Sequence, residues 1–217
     1  QFDRAADGVL TPLPKPSVDT GAGLERIASV LQGEDSNFHT DLFMPLLTRV
    51  AELVGKAYDR GPAGGSFRVL ADHARAVTFL LTDGVYPSNE GRGYVLRRIL
   101  RRASRHGKLL GQDAPFIHSV ADRVIDQMKE AYPELADRRA YITDRIRREE
   151  ERFLETLSKG LQLLEGEIGE LRAKGSTRLP GATVFKLYDT FGFPVDLTAD
   201  ILAGQSLTLD QAGFDSA

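Results

Sequence analysis

The sequence predicts a mainly α fold with a short antiparallel β remnant at its N-terminal end. Two features carry that reading: apolar residues recur at helical spacing in nearly every segment after Gly23, and the residues before it form strand-like pieces interrupted by Asp7-Gly8 and by Pro12, Pro14 and Pro16. A third, the highly charged stretch from Glu134 to Lys174, keeps a thin apolar seam, as a long bracing helix would.

In the remnant, Asp7-Gly8 reads as a turn between Gln1–Arg4 and Val9–Thr11, and the prolines confine the second piece to an edge or loop. Half a hairpin with no partner for its other edge reads as part of something longer. Leu24, Ile27, Ala28 and Leu31 then mark a helix stopped by Gly33, expected to pack on the remnant. Thr40 is the expected cap of the next helix, whose face is Leu42, Phe43, Leu46, Leu47, Val50 and Val54. After the loop Gly61–Gly65, Ser66 is the expected cap of a helix that Asp83-Gly84 ends. Pro87-Ser88-Asn89 starts a helix running to Gly107 or Gly111, and another covers Phe116 to Ala131.

The stretch from Glu134 to Lys174 carries Ile142, Ile146, Phe153, Leu157, Leu164 and Ile168 on its seam. Gly160, Gly166 and Gly169 weaken its second half, which suggests two antiparallel or bent pieces. A short helix to Tyr188, the loop Asp189–Pro194 and a helix from Val195 follow, and the residues from Gln205 onward read as a polar tail. The expected division is a first domain at residues 1–35 and a helical domain at 36–217.

Composition narrows the function classes. Of 217 residues, 41% are hydrophobic, enough for a substantial core, and 27% are charged, which excludes disordered and fibrous classes. No stretch approaches the roughly 18 uninterrupted apolar residues of a membrane span. The absence of cysteine excludes a disulfide framework, a thiol nucleophile and any thiolate metal site. The first residues show no basic-then-apolar leader pattern, so the expected address is cytoplasmic.

The net charge of -3 argues against a polyanion partner until the charges are located. Between Arg92 and Lys108 there are seven Arg or Lys and no acid. At about 100° per residue, Arg97, Arg98, Arg101, Arg102, Arg105 and Lys108 share an arc of roughly 140°, opposite Leu96, Ile99, Leu100 and Ala103. Like charges so arranged repel, and a polyanion would relieve them; a solvated basic face is the bland alternative. Asn89 at the helix start, and Asp189 if its loop folds back, are the short polar groups placed to read a base edge. In Asp19-Thr20-Gly21-Ala22-Gly23-Leu24-Glu25-Arg26, the glycines permit close approach and Arg26 can present a planar cation to phosphate, although a packing role is as common for such glycines. This is neither a dinucleotide fingerprint nor a P-loop. His39, His73, His106 and His118 lack close metal spacing, and no serine has a nucleophile context, so no metal site is expected.

Three blocks resemble the class II aminoacyl-tRNA synthetases, in the form characteristic of the alanyl family. Asp19–Gln32 is similar to motif 3. Arg68–Ala76 with Pro87–Arg102 resembles the helical tRNA-recognition domain, and Leu187–Thr198 resembles that family's later signature. The resemblance spans essentially the whole chain. It implies that Arg26 contacts the terminal phosphate of ATP, that Gly21 and Gly23 leave room for adenine and ribose, and that Asp19 faces the ammonium group of alanine. It implies further that Asn89 and Asp189 read a G:U wobble pair in the acceptor stem of tRNA(Ala), with Arg97, Arg98, Arg101, Arg102 and Arg105 on phosphates. The substrates implied are alanine, ATP with Mg2+, and tRNA(Ala). Motifs 1 and 2 are expected before Gln1 and a zinc-bearing editing domain after Ala217, so this segment alone is expected not to activate alanine. Two other classes remain open: a non-catalytic helical tRNA-binding module and a protein scaffold.

Overall fold

The structure, a computed structural model, describes residues 2–15 and 21–217. The chain divides into two compact units, residues 1–42 and 43–217, each described by itself. In the first unit, β1 (Phe2–Arg4) pairs antiparallel with β2 (Leu10–Pro12), Asp3 opposite Thr11. The Asp7 carboxylate accepts from the Val9 amide at 3.1 Å and stabilises the turn. Helix α1 (Leu24–Gln32) ends on Gly33, and Ser29, which is buried, donates to the Arg26 carbonyl at 2.9 Å.

The expected packing of α1 on the hairpin is not found. Leu24, Val30 and Leu31 are 62%, 80% and 81% exposed, and every strand residue is exposed as well. Two strands of three residues have too little face to cover an apolar stripe.

The second unit is helical: α2 (Met44–Val54), α3 (Gly65–Thr82), α4 (Gly91–Leu109), α5 (Ile117–Met128), the single turn α6 (Glu134–Asp137) and α7 (Arg139–Ala173) come first. Then follow β3 (Arg178–Leu179), α8 (Gly181–Asp189), α9 (Val195–Ala203), β4 (Thr208–Leu209) and α10 (Gln211–Asp215). No helix among the described residues is long and apolar enough to cross a membrane.

Helix α7 is the common spine. Its first half packs with α3, α4 and α5, and α2 closes the same core against α3 and α5, around Leu47, Leu70, Val77, Leu96, Leu100, Val124, Ile142 and Ile146, all fully buried. Its second half packs with α8 and α9 around Phe153, Leu157, Leu164, Leu187, Phe193 and Leu202. The predicted break in α7 does not occur: the helix runs unbroken for 35 residues. Gly160 is a packing residue, since a Cβ there would lie 2.4 Å from the Phe193 ring, and burial of that ring offsets the low helix propensity of glycine.

Three further expectations change. Thr40 does not cap α2; it closes a 3-10 turn at Asn37–His39, where it is fully buried and donates to the Asn37 carbonyl at 2.8 Å. Ser66 lies inside α3, which a 3-10 turn at Pro62–Gly64 initiates, and its hydroxyl meets His106 Nδ1 at 3.0 Å. The polar tail is ordered: β4 pairs in parallel with β3, Leu209 opposite Leu179, and Leu207 is buried.

Candidate functional site

The site is built where α4, the middle of α7 and the loop after α8 converge. The chain turns sharply into α4, with Ser88 Oγ donating to the Glu90 carbonyl at 2.7 Å. Gly93 makes that turn possible, because a Cβ there would meet the Tyr86 carbonyl oxygen at 2.1 Å and Ser88 Oγ at 2.3 Å. Asn89 is thereby held, exposed, at the mouth of a cleft of about 400 Å³. Asp189, the last residue of α8, lines the same cleft together with Arg97, Arg98, Arg101 and Arg152.

The loop carrying Asp189 is fastened from below. Gly192 has a φ of 68°, and its carbonyl accepts from Arg101 Nη1 at 2.6 Å. A side chain would be strained at that φ, and its Cβ would also lie 2.2 Å from Arg101 Nη1. Thr156 of α7 donates to the Phe191 carbonyl at 2.9 Å, a second tie.

The electrostatics differ from a bare cationic face, because acids distant in sequence reach it. Arg97 and Arg101 both donate to Glu149 of α7 at 2.9 Å, and Glu149 is 5% exposed. Arg98 pairs with Asp196 and Arg102 with Asp200, each at 3.1 Å, from α9. Lys108 pairs with Asp113. Burial lowers the pKa of Arg101, with Glu149 pulling it back up, and burial lowers that of Arg105, with Asp200 opposing. The absence of acids between Arg92 and Lys108 therefore leaves much of the repulsion to Glu149, Asp196 and Asp200. Arg101 in particular uses its donors inside the chain, and its guanidinium also lies 5.2 Å from the centre of the Phe153 ring.

Polar capacity nevertheless remains at the cleft. Asp189 is exposed and, among the described residues, pairs with none of the four arginines that line the cleft with it. Asn89 accepts from Arg97 Nη1 through its side-chain oxygen, which leaves the amide NH2 available as a donor. The structure thus brings Asn89, Asp189, Arg97, Arg98 and Arg101 together, while Arg102 and Arg105 do not line the cleft. Arg152 does, is exposed, and has no carboxylate partner among the described residues. Sequence reading missed it because α7 looked evenly balanced in charge; its position four residues before Thr156 and three after Glu149, on the flank of the seam, was the available signal.

Of the residues expected around a nucleotide, Asp19 lies outside the described residues. Arg26 is exposed on the first turn of α1 and has no ion-pair partner among them. A Cβ on Gly21 would meet nothing within 4 Å, and one on Gly23 only the Arg26 stem at 3.6 Å, so packing of the described residues demands neither glycine. His106 is half-buried beside Ser66, and desolvation, aided by Arg105 and Arg102, lowers its pKa to about 4, so it is a neutral packing group. His39, Glu34 and Asp35 bring three ligand-type atoms within 4.8 Å of one another in the first unit.

Comparison with known proteins fits these observations. The family model described as tRNA synthetases class II (A) matches residues 1–217. An alanine–tRNA ligase of Idiomarina loihiensis is 54% identical over 217 residues, which is 100% of this chain and 24% of that protein. The chain thus spans about a quarter of the length of this relative, and by both matches it belongs to the class II (A) tRNA synthetases.

Proposed function

We propose that the chain supplies the motif 3 end of the catalytic domain and the helical tRNA-recognition domain of an alanine–tRNA ligase, the first within residues 1–35 and the second within 36–217. The observation that carries the reading is the convergence of Asn89 and Asp189, widely separated in sequence, on one guanidinium-lined cleft. Their chemistry is complementary to a G:U pair. A carboxylate accepts from the guanine 2-amino group, and the NH2 of Asn89, whose oxygen is taken by Arg97, donates to an acceptor such as the uracil O2. In A-form RNA both edges face the wide, shallow minor groove, which a side chain at a cleft mouth can reach. Arg97 orients Asn89, Arg101 fastens the Asp189 loop, and Arg152 is left to meet phosphates, joined by Arg98, whose guanidinium lines the cleft while pairing with Asp196.

In the first unit, Arg26 suits the phosphate oxygens of the ATP-Mg substrate, where a planar cation stabilises charge building on departing pyrophosphate. Asp19 would hold the alanine ammonium, and Gly21 and Gly23 would admit the nucleoside. Forming the adenylate also requires a group on the α-phosphate, which none of these residues supplies. We therefore expect no alanine-dependent pyrophosphate exchange from these 217 residues alone. Any zinc belongs to an editing domain outside them, and the working compartment is the cytoplasm.

Filter binding of tRNA(Ala) tests the reading. Affinity should fall as salt rises, and wild type should prefer a G:U stem to its G:C counterpart. Asn89→Ala and Asp189→Ala should each lose roughly tenfold of that preference, at about 1–3 kcal/mol per base contact. Salt-independent binding, or a preference that both variants retain, would overturn it.

A further inference from the structure

We propose that a second cleft, formed by Tyr86, Pro87, Tyr141, Arg145, Arg148 and Arg152, is an RNA subsite for an unpaired nucleotide adjoining the paired stem. Its base would stack on Tyr86 and its phosphate would lie beside Arg152. The proposal rests on the reading of the first cleft and extends it.

Three observations support it. The cleft, of about 400 Å³, shares Arg152 with the cleft of Asn89 and Asp189, so one guanidinium with no carboxylate partner among the described residues borders both. Tyr86 lies three residues before Asn89, at most about 10 Å along the backbone, so a strand that meets Asn89 passes Tyr86 with little excursion. The aromatic surface is also prepared. Tyr86 is 56% exposed, yet its ring packs edge-to-face on Tyr141 at 6.0 Å and 88°, while Arg145 lies 5.2 Å from the centre of the Tyr141 ring. A ring braced on one side and open on the other offers a stacking platform with little rotamer freedom to lose on binding.

The cationic lining calls for an anionic partner, and the exposed Tyr86 ring beside it favours a nucleotide, with a base to stack, over an acidic peptide. Glu149 borders the cleft, but its carboxylate is committed to Arg97 and Arg101, and Arg148 is paired with Asp144 at 2.9 Å. The lining therefore alternates aromatic and cationic groups, the composition that binds unpaired nucleotides without reading their sequence.

The test measures fluorescence anisotropy of the 217-residue chain with two labelled acceptor-stem hairpins, one with unpaired 3′ nucleotides and one blunt. Tyr86→Ala should weaken the overhanging RNA roughly tenfold and leave the blunt RNA unchanged, and Tyr86→Phe should restore binding. Arg152→Ala should weaken both and lower the salt slope by about 1. Thermal melts by circular dichroism should match wild type, since both side chains are exposed. Equal loss for Tyr86→Ala on the two RNAs, or none on either, overturns the subsite. If wild type still prefers the G:U stem in that event, the first reading stands; if wild type binds neither hairpin in a salt-dependent way, both readings fall.

Discussion

Glu149 shows how much one buried carboxylate can decide. It is shared by Arg97 and Arg101, and through them it governs the orientation of Asn89 and the seat of the Gly192 loop. Removing one partner of a buried ionic network leaves the others uncompensated. Glu149→Ala should destabilise the chain by about 3 kcal/mol in urea unfolding and should remove the preference for a G:U stem. The Glu149→Gln variant, which keeps one acceptor, should retain more of both. An unchanged unfolding midpoint for the alanine variant would mean that solvent already compensates these guanidinium groups. Neighbouring residues differed in legibility. Asn89, Asp189 and the arginines were visible as residue types in a recognisable block, but the assignment of Arg101 to internal fastening was not, because its partners lie on α7 and after α8.

At the scale of elements, the start of α5 is held by an unusual cap. Glu150, 1% exposed on α7, accepts from the amides of Phe116 and Ile117 at 3.1 and 3.0 Å. Burial raises its pKa from 4.5 to about 8, although both amide hydrogen bonds favour the ionised form. Between those values the folded chain keeps a proton that the unfolded chain has lost. The contribution of this group is therefore full below about 4.5, declines as pH rises, and is gone above about 8. Its slope cannot exceed about 1.4 kcal/mol per pH unit. The Glu150→Gln variant keeps an acceptor and cannot ionise, so urea midpoints measured from pH 5 to 8.5 should fall less steeply than those of wild type. Parallel curves would show that Glu150 does not titrate in this range. Helices α1 to α5 were legible from apolar spacing and glycine stops, with boundaries shifted where 3-10 turns at Asn37 and Pro62 took over the expected caps. The pairing of β3 with β4 was not legible, since two-residue strands carry no period.

At the scale of the second unit, α7 couples the packing of its C-terminal half to the geometry of the cleft. The continuous spine could not be inferred from composition, because glycine within a charged helix counts against continuity unless its packing partner is known. Here the partner is Phe193, four residues beyond Asp189 and fully buried against Gly160. The Gly160→Val variant should therefore displace Phe193, loosen the loop from Asp189 to Pro194 and cost about 2 kcal/mol, a typical penalty for overpacking a core. Hydrogen exchange would locate the effect. Amides of α8, the loop and α9 should lose protection, while those of α3 and α5, packed on the first half of α7, should retain it. Loss of G:U preference should accompany the change, with affinity for RNA in general largely preserved by Arg98 and Arg152. Uniform loss of protection across both halves would show that the helices unfold as one cooperative block. Unchanged exchange in the loop would show that Phe193 does not hold it.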